Sequence, residues 1–334
     1  MVYRGKSQVL KILVFLVFAS VLLLSRTSKA ETLTYKDKLN RLICVSIPVK
    51  RCVFFITHDL ISCLEIWDKV VGISRWAYDN ELIKATRPDI AREIPELGSG
   101  SEVDIEKLLK VRPELVITWS IYPETVRFME EKGLKVIAIY PESFEELYEV
   151  MRLQGRLFKR EERMEDVIGE MEKIFSLIKE RVSKIPEDKR KKVLQLGGRP
   201  TRVSCGIGVN NDIFELIRGI NPASEIKQRY VDVSLERIIA WNPDVLFIWG
   251  HARYKAGDIL DNSQWRFIKA VREEEVYKAP EWSTWSPQLA PIALWMAART
   301  YPEYFRDVDL DRVFNDFYQK VFGISYSKVG RIEE

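Results

Sequence analysis

The apolar positions of the chain form short runs that alternate with amphipathic stretches, and one such unit occurs twice. Residues 103–119 and 233–249 lie 130 positions apart, and Val, Glu, Pro and Trp recur at matching places in both. Each copy predicts a short helix, a turn at Pro followed by an acid, and a buried strand that ends at Trp. A repeat at this separation predicts two similarly built lobes rather than a short-period solenoid.

The remaining β-rich runs extend the same pattern along the chain. Helical stretches follow most of them, which predicts an α/β fold of two Rossmann-like lobes with mainly parallel sheets. The first two runs flank Pro48, and we expect them to form a hairpin. The runs are 42–47, 51–57, 70–73, 136–140, 193–196 and 276–279.

Residues 143–185 contain no Pro, and their apolar residues recur at helical spacing along one face. Ser143 and Glu146 form a capping-box pattern at its start, and Gly155 is a candidate break. We expect a long helix that connects the lobes. A coiled-coil dimer is the alternative, but the apolar stripe is short and irregular for one. The predicted organisation is a signal peptide (1–30), a first lobe (31–142), a connecting helix (143–186), a second lobe (187–322) and a tail (323–334).

Residues 1–30 have the layout of a secretory signal peptide. Arg4, Lys6 and Lys11 precede an apolar run over 12–24, and Ser28-Lys29-Ala30 fits a cleavage site. The run is short for a membrane span, and an uncleaved anchor is the alternative. Removing this leader changes the formal charge from +3 to about −2, because it carries five basic residues and no acidic one. The remaining charges are interleaved, which argues against a nucleic-acid partner.

Four cysteines are present, and export permits disulfides between them. Cys44 and Cys52 could pair across the Pro48 turn, but burial as small apolar residues is an equal alternative for all four. The others are Cys63 and Cys205. Their spacing matches no zinc site.

Candidate ligand-binding residues follow the predicted strands, because ligands of open α/β sheets gather at the carboxyl ends of the strands. Aromatic rings there suit a large or apolar-faced ligand, and Arg and His suit its charge. Core packing is an equal alternative for Trp119 and Trp249, whereas Trp76, Trp282 and Trp285 lie in polar loops and are expected in a cleft. The set is His58, Arg75, Trp76, Tyr78, Trp119, Tyr122, Arg199, Trp249, His251, Trp282 and Trp285.

No intrinsic cofactor is predicted, and no catalytic motif is present. Two histidines cannot form a strong metal site by themselves, although His58 or His251 can ligate a metal already held in a chelate. A non-enzymatic binding protein is therefore expected. A secreted metalloenzyme on the same bilobal scaffold is the alternative from another class, because the fold does not determine the function.

The leader, the two lobes, the connecting helix and the duplicated segment together resemble the class III periplasmic substrate-binding proteins of ABC importers. The resemblance covers about residues 40 to 322. Val70-Val71-Gly72-Ile73-Ser74 and Trp285-Ser286-Pro287 resemble further motifs of that family. The resemblance implies a protein that is secreted or periplasmic, that has two lobes joined by a helical backbone, and that captures a small-molecule metal complex between them.

The family also implies a partner, the transmembrane subunits of an ABC permease. Its conserved glutamates dock onto arginines of the permease, and the matching positions in this chain are Glu106 and Glu236. The alternative is that each is an early-helix acid favoured by the helix dipole. An iron chelate is the expected ligand, with a corrinoid or a molybdate- or tungstate-type oxyanion as alternatives.

Overall fold

The structure is a computed structural model, and it describes residues 31–329. The predicted signal peptide and the last residues of the predicted tail lie outside the described residues. From residue 31 to 329, none of the helices combines the length and apolar character needed to cross a membrane.

The first lobe is built on a four-stranded parallel sheet with the order β4-β3-β5-β6. Its central strands are buried on both faces, as continuous apolar runs predict. Two earlier strands form a separate antiparallel ribbon. The strands are β1 Glu31–Lys36, β2 Leu42–Ile47, β3 Cys52–Phe54, β4 Val70–Ile73, β5 Leu115–Trp119 and β6 Val136–Ile139.

The predicted hairpin across Pro48 is wrong. Strand β2 pairs with β1, whereas β3 lies between β4 and β5 in the parallel sheet. The two runs differ in pattern: β2 alternates buried and exposed residues, while every residue of β3 is buried. An alternating strand suits a ribbon with one wet face, and a wholly apolar one suits the sheet centre.

Helices cover both faces of the first sheet, as its buried strands require. They are α1 His58–Leu64, α2 Trp76–Asp79, α3 Glu81–Thr86, α4 Ile90–Glu93, α5 Ile105–Lys110 and α6 Pro123–Glu131, with a 3₁₀ turn at Trp67–Lys69. Helix α1 ends at Leu64, and Glu65 after it adopts the left-handed conformation common at helix ends.

The connecting segment holds two helices rather than the single one predicted. They are α7 Phe144–Phe158 and α8 Glu161–Val182, and Lys159 between them has a φ of 56°. Arg152 binds Glu165 at 2.7 Å, so α7 folds back along α8. Gly155 allows this close approach, because a Cβ there would lie 3.1 Å from Met164 Cβ. Helix α8, about 33 Å long, contacts helices of both lobes.

The second lobe is built on a five-stranded sheet with the order β11-β10-β7-β8-β9. Strands β7, β10 and β11 are parallel, and β8 and β9 are antiparallel additions at one edge. The strands are β7 Val193–Leu196, β8 Arg202–Ser204, β9 Tyr230–Asp232, β10 Val245–Ile248 and β11 Val276–Lys278.

Helices of the second lobe complete the chain. They are α9 Val209–Leu216, α10 Leu235–Trp241, α11 Ala256–Leu260, α12 Lys269–Arg272, α13 Leu289–Thr300, α14 Pro302–Phe305 and α15 Leu310–Phe322, with 3₁₀ turns at Glu187–Lys189 and Tyr326–Lys328. The duplicated segment forms α5–β5 in the first lobe and α10–β10 in the second, as predicted. One apolar core runs from the first lobe through α7 and α8 into α13 and α15.

Candidate functional site

Aromatic rings from both lobes meet where the strands end. Trp119 ends β5 and Tyr140 follows β6 in the first lobe, while Trp285 belongs to the loop before α13 in the second. The Trp285 ring centroid lies 5.0 Å from that of Trp119 and 4.6 Å from that of Tyr140, both in edge-on contact. Edge-on aromatic pairs at these distances are attractive beyond the area they bury. We call these three residues the aromatic cluster.

Backbone groups fix Trp119 in this position. Its Nε1–H donates to the carbonyl of Phe55 at 3.0 Å. Gly100 has a φ of +79°, and a Cβ there would lie 2.7 Å from Trp119 Cδ1. A glycine is therefore required here for two reasons: the backbone is left-handed, and it approaches the indole too closely for a Cβ.

Arg229 completes this part of the cleft and is not among the residues predicted from the sequence. Its guanidinium carbon lies 4.2 Å from the ring centroid of Tyr140, and its Nε donates to Glu142 Oε1 at 2.6 Å. The residue precedes an edge strand in a loop without a recognisable motif, so no local signal in the sequence could have identified it.

Trp249 and His251 lie at the end of β10 in the second lobe. Trp249 is 43% exposed, and its ring contacts the imidazole with the centroids 5.2 Å apart. His251 Nδ1 lies 3.7 Å from a carboxylate oxygen of Glu281. Burial lowers the pKa of His251 and outweighs the effect of Glu281. A neutral imidazole beside an exposed indole can offer a lone pair and a flat apolar surface to a ligand.

The other predicted aromatics have different environments. Trp76 is 57% exposed and Tyr122 is 36% exposed. Tyr78 is turned towards the core, and its hydroxyl donates to the carbonyl of Ile94 at 2.6 Å. Trp76 and Tyr122 therefore have ring surface available to a ligand, whereas the Tyr78 hydroxyl is already engaged.

The expectation that Trp282 is exposed is wrong. The residue is 5% exposed and its ring packs against Phe314, Tyr318 and Tyr326 at centroid distances of 5.8 to 5.9 Å. The loop reverses between Trp282 and Trp285, so that one indole enters the core beneath α15 and the other enters the cleft. A polar loop in the sequence does not reveal which of its aromatics is covered by a distant helix.

The predicted arginines already have carboxylate partners. Arg75 lies 3.3 Å from Glu102, and Arg199 lies 2.8 Å from Asp232. Together with Arg229 and Glu142, these pairs largely cancel the positive charge along the cleft. A strongly anionic ligand would have to displace such a partner.

His58 and Asp59 begin α1 directly behind the cleft. His58 Nε2 is buried without a hydrogen-bond partner, and burial lowers the pKa of the imidazole to about 4. In the described part of the chain, no three His, Cys, Asp or Glu side chains are grouped so as to hold a metal ion. A metal bound by these residues would therefore need most of its ligands from elsewhere.

A protein-family model described as "Periplasmic binding protein" matches residues 56–281, more than half of the chain. The chain belongs to this family. It is 25% identical over 327 residues to the molybdate-binding protein MolA of Haemophilus influenzae, covering 87% of this chain and 91% of that protein. It is 23% identical over 266 residues to the iron(3+)-hydroxamate-binding protein FhuD of Bacillus subtilis, covering 76% of this chain and 81% of that protein.

A solved structure of similar sequence has the same fold as this chain. The Helicobacter pylori protein CeuE, in a complex described as Ni-His, superposes with a TM-score of 0.80 at 26% identity. The match covers 90% of this chain and 98% of that one. The two-lobed, helical-backbone architecture predicted from the sequence is thereby confirmed.

In this periplasmic binding protein, the two glutamates of the duplicated segment occupy equivalent places. Glu106 and Glu236 lie in the first turns of α5 and α10, and both are exposed. Each helix is capped by the residue two positions earlier, since Asp104 accepts from the N–H of Lys107 and Ser234 from that of Arg237. The two lobes therefore present a carboxylate in the same local geometry.

None of the four cysteines is paired in the structure. Cys52, Cys63 and Cys205 are buried, whereas Cys44 is exposed on β2 beside Thr34. Cys44 and Cys52 belong to different sheets, which removes the geometry that the predicted hairpin would have given a disulfide.

Proposed function

We propose that this protein captures a compact metal complex between its two lobes and delivers it to an ABC permease. The observation that supports this proposal most strongly is the aromatic cluster, in which rings of both lobes meet at the carboxyl ends of the strands. Relatives with this fold are described as binding molybdate, an iron(3+)-hydroxamate or a Ni-His complex. The proposed ligand contacts are Arg75, Trp76, Trp119, Tyr122, Arg199, Trp249, His251 and Trp285.

A metal chelate with flat organic ligands fits this cleft best. The exposed rings of Trp76 and Trp249 offer flat apolar surface, and the neutral imidazole of His251 can approach a metal. The iron chelate expected from the sequence belongs to this class, as does a nickel–histidine complex. Because the cleft arginines are paired, a neutral chelate binds without separating an ion pair.

A molybdate-type oxyanion is the second candidate, and the similarity to MolA over most of the chain favours it. Donors for an oxyanion exist in the loop before α5, where the hydroxyls of Ser99 and Ser101 lie 3.0 Å apart and the backbone turns at Gly98 and Gly100. Successive backbone N–H groups in such a turn favour anions.

A thermal-shift panel tests the ligand. Ferric siderophores, haem, cobalamin, nickel with histidine, and molybdate are added to the purified protein, and a bound ligand raises the melting temperature by mass action. We expect a chelate to give the largest shift and Trp285→Ala to abolish it. The matched control is Phe267→Ala, an exposed ring two residues before Lys269, whose backbone N–H donates to Asn242 in the turn ahead of β10. No shift with any member of the panel would contradict the capture of a metal complex.

We propose that Glu106 and Glu236 dock the loaded protein onto the permease. Two carboxylates on separate lobes can bind two basic pockets and fix the orientation of the complex. Reversing either charge, as in Glu106→Arg, is expected to abolish uptake while ligand affinity stays unchanged. Glu124→Arg, an exposed acid on α6, is the control. Weakened ligand binding in Glu106→Arg would refute the docking role.

The proposed function requires export, which is the role predicted for the signal peptide at residues 1–30. We expect a mature chain that begins near residue 31 and is found outside the cytoplasmic membrane. Cell fractionation followed by N-terminal sequencing separates a cleaved signal peptide from an anchor that is retained.

A further inference from the structure

One side chain of the second lobe makes two contacts with the first lobe. Arg229 directly precedes β9, and its Nε donates to Glu142 Oε1 at 2.6 Å. Its guanidinium carbon also lies 4.2 Å from the ring centroid of Tyr140. Tyr140 and Glu142 both follow β6 of the first lobe. Arg229 therefore joins the lobes at the edge of the aromatic cluster.

Glu142 is held in place from its own lobe. Lys38 Nζ lies 3.2 Å from Glu142 Oε2, and the same ammonium lies 2.6 Å from Glu146. Glu146 also accepts a hydrogen bond from the backbone N–H of Glu142 at 2.7 Å. Burial raises the pKa of Glu142, but the hydrogen bonds from Arg229 and Lys38 outweigh it and lower the pKa overall. Glu142 is thus a fixed carboxylate rather than a mobile surface acid.

The ring contact continues through the cleft. Tyr140 contacts both the guanidinium of Arg229 and the ring of Trp285, and both of these come from the second lobe. Trp285 in turn contacts Trp119 of the first lobe. Contacts therefore alternate between the lobes from Arg229 to Trp119, and an opening of the cleft must break several of them together.

We infer that Arg229 is a positioning residue that holds the two lobes at the spacing of the closed cleft. It acts through Glu142 and Tyr140 and thereby slows ligand release, a role that rests on the proposed capture function. An arginine is suited to this place because its planar group can stack on a ring and pair with a carboxylate at the same time. Both partners are partly exposed, so solvent weakens the ion pair, and together with the ring contact the effect on release is about threefold to tenfold.

The first experiment needs no ligand. Hydrogen–deuterium exchange is followed in residues 119–122 and 282–286 of the wild type and of the variants Arg229→Gln and Glu142→Gln. Both variants are expected to exchange faster there, and the double variant no faster than Arg229→Gln alone, because the loss of Arg229 already removes its contact with Glu142 as well as its contact with Tyr140. Arg152→Gln is the control, since Arg152 pairs with Glu165 inside the α7–α8 hairpin. Unchanged exchange in Arg229→Gln overturns the inference.

The second experiment separates positioning from direct ligand contact. Release of nickel–histidine and of molybdate is measured by stopped-flow. If Arg229 positions the lobes, both Gln variants release the bound probe faster, and Arg229→Lys lies between them and the wild type because it keeps the charge without the flat contact. If Arg229 instead binds the ligand, Glu142→Gln frees it and slows the release of molybdate, which overturns the inference. Should neither probe bind, nickel–histidine and molybdate are excluded as ligands, while the exchange measurement still decides the role of Arg229.

Discussion

Asp59 is a buried carboxylate that should make the stability of this protein depend on pH. The side chain is 1% exposed, and its Oδ1 accepts a hydrogen bond from Asn80 at 2.9 Å. Ser286 of the second lobe lies beside it, but the Ser286 hydroxyl donates to the carbonyl of Ser283, which leaves Oδ2 without a hydrogen-bond partner. Burial raises the pKa of Asp59 to about 6, and the effects of Ser286 and Asn80 offset only part of it.

The sign of the effect follows from proton binding. The folded protein keeps the Asp59 proton up to a pH of about 6, whereas the unfolded chain loses it near 3.8. The contribution of Asp59 to stability is therefore full below 3.8 and is lost as the pH rises through 6. At about 1.4 kcal/mol for each pH unit, the ionised carboxylate costs folding about 3 kcal/mol at neutral pH.

Replacing the carboxylate with a neutral amide of the same shape removes this cost. The free energy of unfolding of Asp59→Asn and of the wild type is measured by urea denaturation at about pH 4, pH 5.5 and pH 7.5. The stability of the variant relative to the wild type should increase by about 2 kcal/mol between the lowest and the highest pH. The amide oxygen can still accept the hydrogen bond from Asn80.

The comparison of the two proteins isolates Asp59 from its neighbour. Burial lowers the pKa of His58 to about 4, so its contribution to stability is present above pH 6.5 and is lost as the pH falls. The contribution of His58 is the same in both proteins, so it cancels in the difference between their free energies of unfolding. Parallel pH profiles for Asp59→Asn and the wild type would show that Asp59 is ionised at its ordinary pKa and would refute the reasoning.

Two further substitutions test the packing around the cleft. Arg163 donates to the carbonyls of Cys63, Lys320 and Val321 at the ends of α1 and α15. Arg163→Met should therefore lower the free energy of unfolding, measured by urea denaturation, by about 2 kcal/mol. Arg127→Met, at an exposed arginine, is the control and should leave the urea denaturation unchanged. Gly100→Ala should displace the indole of Trp119, which alters the near-ultraviolet circular dichroism while the far-ultraviolet spectrum stays the same. An unchanged near-ultraviolet spectrum would contradict the close approach of Gly100 to the Trp119 ring.

The sequence predicted the fold well because periodicity and burial act locally. The copies at 103–119 and 233–249 each form the helix and strand that their apolar pattern predicts. The α7–α8 break was harder to place, because it depends on a left-handed Lys159 and on a contact between Gly155 and Met164. Such contacts belong to tertiary packing and leave little trace in a helical pattern.

The candidate site was predicted only in part. Strand ends are visible in the sequence, which is why Trp119, Trp249 and Trp285 could be expected near a cleft. Burial by a distant element is not visible, and α15 covers Trp282 from about 30 residues further along the chain. The role of Arg229 in the site depends on a partner from the other lobe, and a single sequence does not show which residues of the two lobes are in contact.

The duplicated segment links the cleft to the outer surface within each lobe. Its glutamate lies in the first turn of a helix and its tryptophan at the end of the following strand. A helix that a short turn joins to a strand runs antiparallel to it, so the first turn of the helix and the end of the strand share one edge of the lobe. Each glutamate must therefore move as a unit with the tryptophan of its lobe. If Glu106 and Glu236 both bind the permease, their separation reports whether Trp119 and Trp285 are in contact, and a loaded protein differs from an open one in the spacing that it presents.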